Sequence, residues 1–246
     1  HVACSGTGLD ELVTGYYDHF NLYMYEMRHS PCYNKYLKDW RRHPGRFVRN
    51  PHLKNPELYF NQPDFRGHIY LNNDEFAGLL KVNFSEDFTE KMYADSLLRN
   101  RMMNELFHEG TRVILHEDDL NSMFYSIENR SPFLDSKLYE ISYSIPNEYL
   151  IQDGYGKYIP REAVKGILNK KVRTDSRKVG FNASFSSLVD LNEKENRDWL
   201  LENGRIFELI DRNKFEPLLS MNPMPNSYSK FMFNFLNAKI FLDLNG

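Results

Sequence analysis

The 246 residues carry 31 Lys and Arg against 34 Asp and Glu, and the formal net charge of −3 supplies no field for grasping nucleic acid. Hydrophobic residues at 41% and aromatics at 15% suffice for a substantial core, over a length that suits one large or two small domains. No apolar run approaches the ~20 residues of a membrane span, no signal peptide is visible, and Cys4 and Cys32 lack metal-ligand spacing or the numbers for a disulfide framework, which points to a reducing cytoplasm.

In chain order, Val2-Ala3-Cys4 is short and apolar enough for the end of a buried strand, and Ser5-Gly6-Thr7-Gly8 is a small polar turn. Leu9, Leu12, Val13, Tyr16, Phe20, Tyr23, Met24 and Met27 then recur at three-or-four spacing, which predicts one unbroken amphipathic helix. A short helix follows over Tyr33 to Arg42, stopped by His43-Pro44-Gly45. Pro51, Pro56 and Pro63 amid asparagines favour irregular structure from Phe47 to Asn73. Helical spacing returns from Asp87 to Phe107, with Gly110 as its stop. Further helices are predicted over Leu120 to Ile127, Ser136 to Ser144 and Tyr158 to Leu168, then a Lys- and Arg-rich polar loop from Asn169 to Ser184. Asn192 to Asn203 reads as a solvated helix. The stub at the start is the one convincing strand, so the chain should be mainly α.

A strand, a two-glycine turn and a helix with carboxylates in its first turn is an awkward choice for packing alone. Glycines let a ligand approach the backbone, and amides at a helix N-terminus suit phosphate. Asp10 and Glu11 sit where an anion would otherwise be welcome, so a phosphate bound here would bring a metal cation. The plainer alternative is that the two acids complement the helix dipole.

Later motifs add to the octet Ser5 to Leu12. They are Asp119-Leu120-Asn121-Ser122-Met123, Glu128-Asn129-Arg130-Ser131-Pro132-Phe133-Leu134-Asp135, Gly156-Lys157-Tyr158-Ile159-Pro160-Arg161-Glu162-Ala163 and Lys178-Val179-Gly180-Phe181. In this order they resemble the synthetase domain of the glutamine-dependent asparagine synthetase family, which includes β-lactam-forming relatives. The resemblance runs from about residue 1 to 185 and returns in the last helix, Tyr228 to Leu242. It implies that residues 1–246 are a mainly α, C-terminal part of an α/β adenine nucleotide α-hydrolase-like (ATP-pyrophosphatase) domain. The family's N-terminal glutaminase domain and its SGGxDS pyrophosphate loop are not found in the chain, which begins with His1. The chain is therefore expected to hold half of an active site and to be inactive in isolation.

The resemblance implies an ATP-dependent carbon–nitrogen ligase acting in asparagine biosynthesis. A substrate carboxylate attacks the α-phosphate of ATP, pyrophosphate leaves, and glutamine-derived ammonia converts the acyl-adenylate to an amide. Asp10 matches the aspartate that binds Mg²⁺ together with the aspartate of the SGGxDS loop, and a hard cation suits carboxylate and phosphate oxygens. Ser5 and Gly6 match positions that contact the nucleotide. Lys157, a mobile point charge between loop glycines, matches the lysine that stabilises charge at the reacting phosphate, and Lys178 is a candidate for pyrophosphate. Each lysine has the alternative of being a solvated surface group. Glu128, Arg130 and Asp135 suit a helix end, with structural duty for Arg130 and Asp135, and Asp119 lies near the face expected to meet the nucleotide. Adjacent residues on a helix diverge, so His116, Glu117, Asp118 and Asp119 do not converge on a metal.

The departure is Thr7. Asparagine synthetases carry glutamate there, facing the aminated intermediate, and threonine can neither accept a proton from ammonium near neutral pH nor ion-pair with the amino group of aspartate. The acceptor therefore stays open between aspartate and another acid, such as a sugar uronic acid of surface-polysaccharide synthesis. A non-catalytic module of the same fold and another nucleotide α-hydrolase are the competing classes, and homodimerisation is left open.

Overall fold

Val2–Cys4 (β1) pairs in parallel with Glu128–Arg130 (β2), in the register Val2 to Glu128, Ala3 to Asn129 and Cys4 to Arg130. The ladder continues through Ser5, whose N–H donates to the Arg130 carbonyl at 2.8 Å. The computed structural model describes residues 1–69, 71–84, 89–178 and 183–245. The chain forms two units, residues 1–68 with 89–179, and residues 69–88 with 180–246.

In the first unit the expected strand forms, but all three of its residues are exposed rather than buried. The expected helix end at Glu128 is instead strand β2, whose polar Glu-Asn-Arg carries no apolar alternation to announce it. The long helix foreseen from Leu9 onward is two helices, α1 (Leu9–Val13) and α2 (Tyr17–Glu26), separated by Thr14 at φ 72°. The apolar spacing carries across the break because both pieces bury a face. Leu12, Val13, Leu22 and Tyr23 share one core with Leu98, Met102, Met103 and Leu106.

Helix α3 (Tyr33–Arg42) has the expected bounds, and Trp40 anchors it, its Nε1–H donating to Asn21 Oδ1 at 3.0 Å. The proline-rich stretch after it is broken into short turns and the single turn α4 (Leu58–Asn61). Helix α6 (Leu97–His108) starts later than the periodicity suggests, residues 89–96 being non-helical, while Asp87 and Phe88 of the predicted segment lie outside the described residues. The preceding segment is held out of the helix by side chains of α6 itself. Lys91 N–H donates to Asn104 Oδ1 at 2.9 Å and Tyr93 N–H to Asn100 Oδ1 at 2.7 Å. Ser96 then caps the helix, accepting from Arg99 N–H at 3.2 Å. Gly110 opens rather than ends a helix, α7 (Gly110–Phe124), which contains most of the predicted Leu120 to Ile127 segment. Helix α8 (Ser136–Ser144) is as expected, α9 (Tyr158–Ala163) is shorter, and the predicted polar loop contains one turn, α10 (Lys170–Arg173).

The second unit contains α5 (Asn73–Ala77), α11 (Lys194–Leu200), α12 (Ile206–Leu209), α13 (Arg212–Phe215) and α14 (Asn226–Asn245). Its core joins Leu79, Phe185, Ile206, Phe207, Phe215, Met232 and Phe235, with the Phe215 and Phe235 rings stacked at 3.9 Å. The predicted solvated helix is α11, although Leu200 at its end is fully buried. Helix is the main secondary structure, and among the described residues no helix is long and apolar enough to cross a membrane.

Candidate active site

The turn before α1 closes on itself. Thr7 N–H donates to Ser5 Oγ at 3.2 Å, and the two hydroxyls are 2.7 Å apart. Gly8, at φ 97°, faces Leu134, and a Cβ there would meet Leu134 Cδ2 at 2.3 Å. The Pro132-Phe133-Leu134 run thus presses on the turn, which admits only glycine at this point. Asp135 behind it caps α8, accepting from Lys137 and Leu138 N–H at 2.9 and 3.1 Å, the structural duty expected of it. Arg130 pairs with Glu128 at 2.9 Å on the exposed strand, and so ties down a carboxylate away from any helix end.

Asp10, in the first turn of α1, leans over the break that follows the helix. A Cβ on Gly15 would lie 1.4 Å from Asp10 Oδ1, so this approach requires glycine. Lys157 Nζ stands 2.7 Å from Oδ1 and Lys178 Nζ 2.9 Å from Oδ2. Three of the residues singled out from sequence, far apart along the chain, therefore meet at one carboxylate. Ser5, Gly6 and Thr7 lie in the turn just upstream of it. Val179, Gly180 and Phe181 of the Lys178 motif lie outside the described residues. Tyr17, Phe20, Tyr155 and Arg161 line a small cleft with the two lysines.

Burial pushes the Asp10 carboxyl up, but the charges of Lys157 and Lys178 outweigh it and hold the group below its ordinary value of 3.8. The carboxylate then stabilises the fold above that pH, and the contribution is lost as pH falls through the depressed folded value. In acid unfolding titrations the stability gap between wild type and Asp10→Asn should be constant above about pH 4 and close below it. A gap that persists unchanged at pH 2 would contradict the pairing.

A divalent cation fits here in one particular way. Asp10 Oδ1 is buried beside the Lys157 ammonium at 2.7 Å, and a carboxylate oxygen held by one cation has a second lone pair to offer a hard ion. One carboxylate facing two ammoniums is nevertheless a poor cation cage on its own. The same trio suits an ion shared with a polyphosphate, whose oxygens supply ligands and whose charge the lysines balance.

Several residues around the site were not singled out from sequence. Tyr16 O–H donates to Glu11 Oε1, and Lys178 Nζ lies 4.7 Å over the Tyr16 ring. Burial and then the Glu11 charge raise the Tyr16 hydroxyl well above its usual range, so it stays protonated. His19 Nδ1 accepts from Gly15 N–H at 3.2 Å, which places the ring proton on Nε2, 2.6 Å from Glu105 Oε2. Asp18, His19 and Glu105 offer ligand atoms within 4.8 Å of one another. Arg101 stands 3.0 Å from Asp18, with His68 at 3.4 Å, so this cluster is a buried ion network rather than a vacant cage. Gly15 was the available signal for the break. Nothing in a helical pattern distinguishes a buried charge from a solvated one.

A model of the asparagine synthase family matches residues 1–242. Asparagine synthetase [glutamine-hydrolyzing] 1 of Bacillus subtilis (strain 168) is 32% identical over 113 residues, which are 46% of this chain and 17% of that protein. No solved structure matches.

Proposed function

Because this chain belongs to the asparagine synthase family, we propose that it supplies part of the synthetase site of an ATP-dependent carbon–nitrogen ligase that uses glutamine as amido donor. The observation that carries the reading is the convergence of Lys157 and Lys178 on Asp10 at the cleft beside Gly15. In the reaction a carboxylate oxygen bonds to the α-phosphorus of ATP and pyrophosphate departs. Ammonia then attacks the acyl carbon, AMP leaves with the bonding electrons, and the nitrogen loses a proton. Negative charge accumulates on the departing pyrophosphate, so fixed cations belong there. Lys157 and Lys178 are assigned to its oxygens and Asp10 to Mg²⁺, which when bound neutralises phosphate charge. Ser5 and Gly6 are assigned to the nucleotide through the turn before α1. The 113 matched residues are 17% of the Bacillus relative, so the rest of the nucleotide site and glutamine hydrolysis are assigned to segments outside these 246 residues. A cytoplasmic setting belongs to the same proposal and agrees with two free cysteines. The test is pyrophosphate release by the full-length protein, supplied with ATP, glutamine and a panel of carboxylates. Release independent of every carboxylate would overturn the reading.

The acceptor is aspartate or another acid, and Thr7 favours the second. Its hydroxyl is engaged with Ser5 and carries no charge to meet an ammonium. An ammonium left unpaired in a partly dry site costs a few kcal/mol, about 10²-fold in discrimination. The full-length protein should therefore prefer a nucleotide-linked uronic acid to aspartate, and Thr7→Glu should narrow that preference. Efficient asparagine formation by the unmodified protein would restore aspartate as the acceptor.

A further inference from the structure

Thr14 sits in the break between α1 and α2 at φ 72° and ψ 148°, with no exposed surface. A β-branched residue rarely adopts a positive φ, and such strain persists only where the surroundings enforce it. Here the surroundings hold its hydroxyl. Thr14 Oγ1 accepts from Lys157 N–H at 3.2 Å, and its single proton lies between the carbonyl oxygens of Val13 and Leu150, at 2.5 and 3.4 Å. Lys157 is itself left-handed, at φ 55°, so two such residues from distant segments share one hydroxyl. Gly156 permits the approach, since a Cβ there would meet Phe20 Cζ at 3.0 Å and Thr14 Oγ1 at 3.4 Å. Arg161 steadies the loop from its other side, Nε–H donating to the Gly156 carbonyl at 2.8 Å. At the far end of Lys157 is the 2.7 Å contact with Asp10.

We propose that Thr14 is a positioning residue, whose hydroxyl sets the backbone of Lys157 and so aims the Lys157 ammonium at Asp10. A glycine would satisfy the backbone at this position without strain, and only the hydroxyl explains the use of threonine. The consequence for ATP rests on the proposed function, whereas the positioning itself does not.

The experiment is pulse acetylation of the full-length protein with acetic anhydride, read by peptide mass spectrometry. Lys157 is scored against Lys165, an exposed internal reference. Lys157 should label slowly in the wild type and in Thr14→Ser, which keeps the hydroxyl. It should label several-fold faster in Thr14→Val and in Thr14→Gly, the latter chosen because glycine accepts the positive φ and preserves folding. In ATP–pyrophosphate exchange, Thr14→Gly should slow the wild type and have no further effect in a Lys157→Ala background. The proposal is overturned if folded Thr14→Gly labels Lys157 at the wild-type rate, or if Thr14→Ser accelerates labelling as much as Thr14→Gly. If labelling responds as expected while the wild type shows no exchange with any carboxylate, the positioning role stands and the ATP reading falls.

Discussion

Lys157→Ala in the full-length protein is expected to slow ATP–pyrophosphate exchange by ~10²–10³-fold while glutamine hydrolysis continues at the wild-type rate. The size follows from losing one preorganised cation at a site where charge develops on the leaving group. Lys157 is well placed for this, being partly buried, with its side chain 28% exposed, and already held at a carboxylate. Lys178 stays at Asp10 in the variant and limits the loss. Asp10→Asn should act differently, because it frees both lysines while removing the anionic ligand assigned to the metal. Its exchange rate should show a raised Mg²⁺ requirement. Unchanged exchange in both variants would remove the assignment of this cluster to the nucleotide.

The second large effect concerns stability. Arg101→Leu should destabilise the first unit by about 3–5 kcal/mol, read as a lower midpoint in chemical denaturation. The Arg101 side chain is 2% exposed, and its NH1 and Nε stand 3.0 Å from Asp18 Oδ2 and 2.5 Å from Glu90 Oε1. The leucine leaves both acids without this partner. Burial raises the Asp18 carboxyl, but hydrogen bonding to His68 and the nearby Arg101 charge help to overcome it and hold the group well below its usual range. Without Arg101 that balance weakens and burial costs more. Arg66 still serves Glu90, at 2.6 Å, so the loss should fall mainly on Asp18, and Asp18→Asn in the Arg101→Leu background should recover part of the stability. No recovery would mean that the network is not what holds α2 to α6.

The parts of the fold legible in the sequence are those where one local signal has one structural answer. Pro44 and Gly45 after a charged amphipathic run can only end α3, and the last helix that the family resemblance implies over Tyr228 to Leu242 lies within α14. Strand β2 was not legible because its three polar residues pair through the backbone, to which side-chain patterning is blind. The start of α6 was missed because Asn100 and Asn104 lend side-chain oxygens to the segment before it, a choice made between elements rather than within one.

The family was legible for a similar reason. Ser5-Gly6-Thr7-Gly8-Leu9-Asp10, Gly156-Lys157 and the motif around Pro132 keep their spacing in the linear chain, and residue identity alone carries them. Lys157 and Asp10 could therefore be singled out from sequence with no knowledge of where either lies. Their meeting could not, because Coulombic contact is a function of distance in space, and 147 positions along the chain become 2.7 Å only once α9 packs near α1. Thr14 lies wholly on that side of the division. As a letter it is a middling helix residue inside an amphipathic run, and only the left-handed backbone forced on it by packing gives its hydroxyl the Lys157 amide as a partner.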